Sequence, residues 1–241
     1  MRDSIGLILL AAGESSRMGR PKQLLIYEGQ TLLRRALEAA AGSSCRPIAV
    51  VLGSEPEALI PELDNAGLPY DAQVEIVHNL NWECGMGSSI RAGLQALQRR
   101  AELDAVVIML CDQPMVTSAL LETIIAAYRE ADDCVVASEY GTGSTDEGVG
   151  VPALFDASLF PELLALHPDE GAKRIILAHK DKLGRVLFPG GLVDLDTPAD
   201  YNTLLAAAEP KGIGDEDTLG SVALTSEEQS ITGEGPPAYL T

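Results

Sequence analysis

The chain has 241 residues, of which 36 are acidic and 17 basic, so its formal net charge is −19 at pH 7. This length suffices for one α/β domain with a substantial core, and we expect a single domain rather than two small ones. The acidic balance argues against nucleic acid or an anionic membrane as a partner, because proteins that bind phosphate backbones present a basic surface. Any phosphate that this chain binds must therefore meet a local group of cations or a metal ion.

The cysteines indicate the compartment. They lie far apart in the sequence, with neither a CxxC pair nor the spacing of a zinc site, and are Cys45, Cys84, Cys111 and Cys134. We expect reduced thiols in a cytoplasmic protein. The first apolar run is too short to span a bilayer and is interrupted by glycine, which disfavours a signal peptide. Cys84 and Cys111 lie inside motifs, and we expect both to pack as buried small residues rather than as thiolates.

Short apolar runs alternate with helical periodicity along the first 137 residues. The runs predicted to be strands are Ile5–Ala11, Ile48–Leu52, Val74–Val77, Ala105–Cys111 and Cys134–Ala137. The stretches predicted to be helices are Thr31–Ala41, Glu55–Asn65, Ser88–Arg100 and Thr117–Ala131. Strands that are apolar at consecutive positions are covered on both faces, and alternation with helices favours parallel pairing. The pattern predicts a three-layer α/β/α sandwich around a Rossmann-like, mostly parallel sheet.

The alternation is less regular after Ser138, where a polar, glycine-rich loop covers 141–148. The predicted elements that follow are a strand at Val149–Phe155, helices at Ala157–Leu166 and Gly171–His179, strands at Arg185–Phe188 and Leu192–Leu195, and a helix from Thr197. We expect the late strands to form the second wall of a substrate cleft within the same domain.

The last segment, 209–241, has seven acids, one lysine and no sustained apolar period. Such a composition is typical of a solvated, disordered tail. The alternative is a clamp that docks on a partner. We therefore predict one domain over 1–208 and a separate acidic tail over 209–241.

The loop after the first predicted strand combines small residues with cations. Ligands in parallel sheets bind beyond the carboxyl ends of the strands, and this first loop commonly holds phosphate. It matches neither GxxxxGK[ST] nor GxGxxG, so a Walker loop and a dehydrogenase-type dinucleotide site are disfavoured. Ala11, Ala12 and Gly13 would let a base or ribose approach the main chain, and Arg17 and Lys22 would reach a triphosphate. The alternative is an exposed basic loop without a ligand.

Asp112 follows the buried run Ala105–Cys111, so we expect it at the same rim of the sheet as the first loop. A carboxylate there suits Mg²⁺, which prefers oxygen ligands and bridges substrate phosphates. The alternative role, a cap for the next helix, is better suited to Thr117 or Ser118.

Four motifs together resemble the signature of MobA-like nucleotidyltransferases. In chain order they are LAAG at 10–13 with SxRMGxPKxLL at 15–25, GMGSSIRAGL at 85–94, MLCDQP at 109–114 and DLDTPADY at 194–201. The resemblance covers about Ile5–Leu205 and is closest to the molybdenum cofactor cytidylyltransferase branch. It implies a fold of the nucleotide-diphospho-sugar transferase type.

The resemblance also implies roles for individual residues. It places Leu10, Ala11, Ala12 and Gly13 at the base and ribose, Arg17 and Lys22 as catalytic cations on the β and γ phosphates, and Asp112 as a catalytic metal ligand. It implies that a late aspartate is the second metal ligand, for which we take Asp196, with Asp194 as an alternative; the other role open to Asp196 is to cap the last helix. In this family LAAG accompanies cytidine transfer and LAGG guanine transfer, so Ala12 favours CTP.

Two further segments each have two possible roles. Ser88 and Ser89 either contact the nucleotide or serve as the N-cap of a well-packed helix. Asp169 is predicted to cap the helix that carries Lys173 and Arg174, whose cations either face the acceptor's phosphate or lie on an ordinary solvated surface. The family has GD-x-GAR here, whereas this chain has Pro168 and Lys173.

These observations predict an Mg²⁺-dependent enzyme that transfers CMP from CTP to a molybdopterin-type cofactor, releases pyrophosphate, and passes its product to a molybdenum hydroxylase. No hydrolase motif is present, and none of the three histidines lies in a motif that marks a general base. One alternative is a guanylyltransferase, or another NTP transferase that acts on a sugar or alcohol phosphate. A second alternative is a non-catalytic carrier of the cofactor.

Overall fold

The computed structural model describes residues 3–14, 19–64, 67–69, 72–141, 148–193, 195 and 197–208. Cα proximity groups residues 1–209 into one compact unit. The predictions for Arg17, Asp194, Asp196 and the tail 209–241 fall outside the described residues.

A seven-stranded sheet forms the centre of this unit, in the order β5-β4-β1-β6-β8-β7-β9. Its strands are β1 (Ile5–Ala11), β4 (Ile48–Leu52), β5 (Val74–His78), β6 (Ala105–Leu110), β7 (Val135–Glu139), β8 (Val149–Asp156) and β9 (Leu183–Leu187). Every pairing is parallel except those of β8, which runs antiparallel to both β6 and β7. A separate two-stranded hairpin consists of β2 (Ile26–Tyr27) and β3 (Gln30–Thr31).

Helices cover both faces of the sheet, because its central strands are apolar on both sides. The helices are α1 (Leu32–Ala41), α2 (Pro56–Asp64), α3 (Met86–Arg100), α4 (Ser118–Glu130), α5 (Phe160–Leu164), α6 (Lys173–Ala178) and α7 (Pro198–Ala208). All seven residues of β1 are buried; Leu7 and Leu9 pack in the core with α1, α2 and α4, whereas Ile8 and Leu10 pack with α3, α5 and α6. The predicted three-layer, mostly parallel architecture is confirmed.

A third, smaller apolar cluster joins the hairpin to the last helix. Its buried members are Leu25, Tyr27, Leu32, Leu195 and Leu204. The predicted strand Leu192–Leu195 is therefore wrong. Leu192 ends a 3-10 turn over Pro189–Leu192 and is 69% exposed, while Leu195 is buried against the hairpin rather than in the sheet.

Side-chain caps set the start of two helices. The Thr117 hydroxyl accepts a hydrogen bond from the Leu120 N–H at 3.2 Å, so Thr117 and not Asp112 is the N-cap of α4. Thr197 and Asp200 form a reciprocal pair at α7: Asp200 N–H donates to the Thr197 hydroxyl at 3.3 Å, and Thr197 N–H to the Asp200 carboxylate at 2.8 Å. Within the described residues, no helix has both the length and the apolar character needed to cross a membrane.

Candidate active site

A cavity of about 320 Å³ opens at the carboxyl ends of β1 and β6. Its size falls within the range of small-molecule sites. Residues from four segments line it: Leu10, Ala11, Ala12, Gly13, Glu14, Lys22, Gln23, Trp82, Glu83, Gly85, Met86, Ser89, Leu110, Cys111 and Asp112. Every described residue predicted to bind nucleotide or metal is therefore in this lining except Ser88.

The buried amide of Gln23 holds the loop after β1 in place. Its Nε2 donates to the carbonyl oxygens of Ala11 and Gly13, both at 3.0 Å. These bonds fix the backbone of the LAAG segment. An added Cβ at Gly13 would meet no atom of the described residues within 4 Å, so the described residues leave the space beside it open. Sequence reasoning missed Gln23, which occupies the unspecified position between Lys22 and Leu24 in the motif SxRMGxPKxLL.

The segment after β4 packs directly behind this loop. A Cβ added at Gly53 would overlap the Ala12 carbonyl oxygen and lie 2.6 Å from Cβ of Trp82. Only glycine allows the two segments to approach this closely, and the approach brings Trp82 into the cavity wall. Trp82 was also missed, since its place depends on a contact between segments far apart in sequence.

Lys22 and Asp112 meet inside the cavity, where Nζ of the lysine donates to Oδ2 of the aspartate. The side chains are only 20% and 10% exposed. The other carboxylate oxygen of Asp112, Oδ1, is buried and has no hydrogen-bond partner among the described residues. An unpaired, buried carboxylate oxygen is costly in a protein, and a hard divalent cation would satisfy it.

The charge of the lining supports the same interpretation. Glu14, Glu83 and Asp112 contribute three carboxylates, against the single ammonium of Lys22 among the described lining residues. Neither Glu14 nor Glu83 makes a side-chain hydrogen bond or ion pair in the part of the chain that the structure describes. A triphosphate would be repelled by this lining unless a metal ion accompanied it.

The described residues contain no group of three or more histidine, cysteine, aspartate or glutamate side chains that could hold a metal ion. Asp112 fits a site in which substrate phosphates and water complete the coordination, as Mg²⁺ commonly requires.

The two serines of the GMGSS segment lie in the first turn of α3, so neither is its N-cap. The helix begins at Met86, and Gly85 precedes it without a side-chain cap. The Asn79 amide donates to both hydroxyls, at 2.8 Å to Ser88 and 2.9 Å to Ser89. Ser89 faces the cavity, whereas Ser88 lines a separate depression and donates to the Gly85 carbonyl oxygen at 2.7 Å.

A second cavity, of about 250 Å³, adjoins the first and shares Leu10, Met86 and Leu110 with it. Its remaining walls come from β6, β8, Tyr140 and the start of α6, including Lys173. Lys173 thus borders this cavity, while the residue as a whole is exposed. Asp169 does not cap α6, because Ala172 precedes that helix without a side-chain cap and Asp169 contacts His167.

The histidines lie away from the site. None of the three histidines lines either cavity, and His167 and His179 pair with Asp169 and Glu162. The hydrogen bond from His167, the largest effect, lowers the pKa of Asp169.

The cysteines divide into inert and accessible thiols. All four are free. Burial raises the pKa of the Cys111 thiol far above its ordinary value, so this residue packs as a neutral side chain. Cys84 is exposed, so the prediction that it is buried was wrong; the turn Trp82–Cys84 lies at the surface between Asn81 and Gly85.

Comparison with known proteins shows the family to which the chain belongs. A model of the MobA-like NTP transferase domain matches residues 7–183. The purine catabolism protein PucB of Bacillus subtilis is 29% identical over 210 residues, which are 83% of this chain and 95% of that protein. Nicotine blue oxidoreductase of Paenarthrobacter nicotinovorans is 30% identical over 176 residues, 72% of this chain and 81% of that protein.

A solved structure has the same fold. Rv0371c of Mycobacterium tuberculosis superposes with a TM-score of 0.67 and 28% identity, covering 86% of this chain and 99% of that one. A further structure of Rv0371c is described as a complex with manganese, with a TM-score of 0.64 and 28% identity, covering 85% of this chain and 99% of that one.

The fold and the cleft at the carboxyl ends of β1 and β6 are those of a nucleotidyltransferase, so the protein is an enzyme. More particularly, the chain belongs to the MobA-like NTP transferase family. The resemblance predicted from the four motifs is thereby confirmed.

Proposed function

We propose that this enzyme transfers CMP from CTP to the terminal phosphate of a molybdopterin-type cofactor and releases pyrophosphate. The observation that carries the proposal is the meeting of Lys22 with Asp112 in one cavity, beside the LAAG loop and Ser89. Nucleotidyl transfer requires cations, a metal-binding carboxylate and open backbone at one rim.

The roles of the residues follow from charge and position. In our proposal Lys22 leaves Asp112 when nucleotide enters and neutralises the β and γ phosphates, together with Arg17. Asp112, with Asp196 or Asp194, would hold Mg²⁺, which when bound shields the triphosphate and stabilises charge on the leaving group. Leu10, Ala11, Ala12 and Gly13 would contact the base and ribose, and Ser89 the ribose or a phosphate. Ser88 would support Ser89 rather than touch the ligand.

The reaction needs no general base. An acceptor phosphate monoester has a second pKa near 6, so its attacking oxygen is mostly ionised at neutral pH. That oxygen attacks the α phosphorus, and the bond from the α phosphorus to the bridging oxygen breaks as pyrophosphate departs. The chain's task is to bring two polyanions together in line, which is positioning and charge neutralisation. The absence of histidine from both described cavity linings is consistent with this chemistry.

The Glu83 carboxylate supports the choice of CTP. It lines the cavity and has no partner among the described residues. A carboxylate accepts a hydrogen bond from the 4-amino group of cytosine but repels the carbonyl oxygen that uracil carries at that position. Ala12 adds the preference that the LAAG motif implies. The Glu83 carboxylate favours CTP over UTP, and the LAAG motif favours CTP over GTP.

The second cavity supports a bulky acceptor beside the nucleotide. It adjoins the first cavity, is mostly apolar, and includes the Lys173 cation. An apolar ring system that carries a phosphate fits this combination. We further propose that the enzyme acts in the cytoplasm and hands its product to a molybdenum hydroxylase.

A panel of nucleotides tests the proposal. The enzyme is incubated anaerobically with Mg²⁺, molybdenum cofactor and each of CTP, GTP, UTP and ATP, and pyrophosphate and the product are identified. We expect pyrophosphate and a cytosine dinucleotide with CTP. A preference for GTP would replace the cytidylyl assignment, and turnover with sugar or alcohol phosphates alone would replace the acceptor.

One relative carries the name of an oxidoreductase, so the assay includes an arm with NADH or NADPH and an electron acceptor dye. Oxidation of the nicotinamide nucleotide, without pyrophosphate release from any of the four triphosphates, would refute the transfer reaction.

A further inference from the structure

We propose that Gln113 and Tyr140 are positioning residues that hold the wall of the acceptor cavity at a fixed place relative to Asp112. This inference rests on the proposed function, because it takes the second cavity as the acceptor's site. It assigns no contact with the reacting atoms to either side chain.

Gln113 links the two cavities through its amide. It directly follows Asp112 and is only 8% exposed, and its Nε2 donates to the Val151 carbonyl oxygen at 2.8 Å and to the Tyr140 hydroxyl at 3.2 Å. The carbonyl partner fixes the orientation of the amide, because the opposite orientation would set two carbonyl oxygens against each other. Asp112 lines the first cavity, and Val151 and Tyr140 line the second. One buried amide therefore connects the proposed metal ligand to the proposed acceptor wall.

Tyr140 is held in the same place by its whole ring. Its hydroxyl donates to the Val151 carbonyl oxygen, the oxygen that Gln113 also binds. The ring lies over Gly150 and Gly191, where an added Cβ would overlap it, and packs edge-on against Phe188 with 6.2 Å between ring centroids. Gly150 and Gly191 thus leave space for the Tyr140 ring, whose hydroxyl contacts the Val151 carbonyl oxygen.

The geometry of the reaction explains why such a link matters. The acceptor oxygen must approach the α phosphorus in line, and small errors of placement reduce transfer strongly. Because Val151 lines the second cavity and not the first, a shift of the Val151 wall moves an acceptor relative to Asp112 without moving the nucleotide.

The remaining oxygen of the Gln113 amide gives independent support. Oε1 is buried and has no hydrogen-bond partner in the part of the chain that the structure describes. A residue chosen only for packing would avoid an unpaired carbonyl oxygen in the interior, as methionine does at similar volume. The two donated bonds are what glutamine provides at this position and methionine would not.

Steady-state kinetics with each substrate varied separately test the inference. Gln113→Met keeps the volume and removes both donors, and Tyr140→Phe keeps the ring and removes the hydroxyl. We expect Gln113→Met to raise KM for the molybdenum cofactor about tenfold, as for a lost positioning hydrogen bond, with KM for CTP within about twofold of wild type. Tyr140→Phe should also raise KM for the molybdenum cofactor, but by a smaller factor.

Two controls separate positioning from loss of structure. Gln98→Met makes the same exchange at an exposed position of α3 and should leave both constants unchanged. The double variant Gln113→Met with Tyr140→Phe should raise KM for the cofactor further than Gln113→Met alone, because the Val151 carbonyl then loses both of its donors. If Gln113→Met lowers the melting temperature by more than a few degrees, the KM values of Tyr140→Phe test the inference instead.

The outcomes are distinguishable. Wild type that releases no pyrophosphate from any nucleotide overturns the proposed function and this inference together. If wild type is active and the variants raise both KM values in parallel, or raise neither KM value, only the inference is overturned. A selective rise in KM for the cofactor supports it.

Discussion

The central contact of the site is between two residues that are 90 positions apart, Lys22 and Asp112. In the nucleotide-free protein each neutralises the other within a lining that is otherwise acidic. Entry of a metal-bound triphosphate would exchange this pair for two new ones, lysine with phosphate and aspartate with metal. The exchange keeps each buried charge paired, which limits the cost of desolvation.

Glu83 gives a prediction about base choice. Glu83→Gln replaces an acceptor-only carboxylate by an amide, which can also donate to the uracil carbonyl oxygen. We expect the ratio of kcat/KM for CTP to that for UTP to fall about tenfold, the size of one base-edge contact. Glu14→Gln, at the other unpartnered acid of the lining, is the matched control and should keep the ratio. An unchanged ratio in Glu83→Gln, or an equal fall in both variants, would contradict this role.

Cys45 gives a prediction about pH. Burial raises the pKa of its thiol from 9.0 to about 12, because desolvation disfavours the thiolate. The folded state therefore retains a proton that the unfolded state loses. The stabilisation is fully present below about pH 9 and decreases as pH rises toward 12.

Urea unfolding at several pH values measures this effect. The difference in free energy of unfolding between wild type and Cys45→Ala should shrink above pH 9 by up to about 1.4 kcal/mol per pH unit. Cys84→Ala, at the exposed thiol, should show no such trend. A difference for Cys45→Ala that does not vary with pH would refute the assignment.

At the scale of elements, burial decided which predictions were accurate. β1 and β4 have the predicted bounds, because each is an uninterrupted apolar run buried on both faces. The start of α3 was misplaced by two residues, since Gly85 and backbone contacts set it and not a serine cap. The β2–β3 hairpin was missed because its turn places Glu28, a residue without a turn signature, at positive φ beside Gly29.

The same reasoning explains which site residues the sequence predicted. Ala11, Lys22 and Asp112 lie within contiguous motifs, so local sequence was sufficient to single them out. Gln23, Trp82 and Gln113 owe their roles to partners on other segments: the LAAG carbonyls, Gly53 and the Val151 carbonyl. These contacts between distant segments depend on the packed sheet. No local sequence pattern predicts them, even where the residue itself lies inside a motif, as Gln113 does.

The N-cap of α4 gives a prediction about stability. Thr117→Ala removes the hydroxyl that accepts from the Leu120 N–H, and we expect a loss of about 1 kcal/mol in the free energy of unfolding. Thr123→Ala in the middle of the same helix is the control. Its hydroxyl only donates to the Ala119 carbonyl, so this change should be neutral or slightly stabilising. Equal losses in both variants would show that the cap is not the cause.

At the scale of the whole molecule, a strongly acidic protein concentrates its site at one edge of one sheet. The parallel strands β1 and β6 end side by side there, and antiparallel β8 begins beside them, which puts the nucleotide and acceptor cavities in contact. A net charge of −19 opposes the approach of polyanionic substrates. Binding as metal complexes reduces that repulsion.

The proposed division into a domain over 1–208 and a tail over 209–241 is tested by truncation. A chain that ends at Ala208 keeps α7 and every described residue. We expect its melting temperature to lie within about 2 °C of the full chain, since a composition so poor in apolar residues adds little burial. The kinetic constants should also be unchanged. A large fall in either would show that the acidic segment is part of the folded enzyme.

The most direct measurement of the central claim is pyrophosphate release by Asp112→Asn, in parallel with wild type, in the presence of CTP, molybdenum cofactor and Mg²⁺. Asparagine keeps the shape of the side chain but lacks the charge that would hold the metal. The account predicts one pyrophosphate per cytosine dinucleotide from wild type and a rate at least about a thousandfold lower from the variant, the scale of losing a group that stabilises the transition state. Pyrophosphate release by Asp112→Asn at the wild-type rate would contradict it.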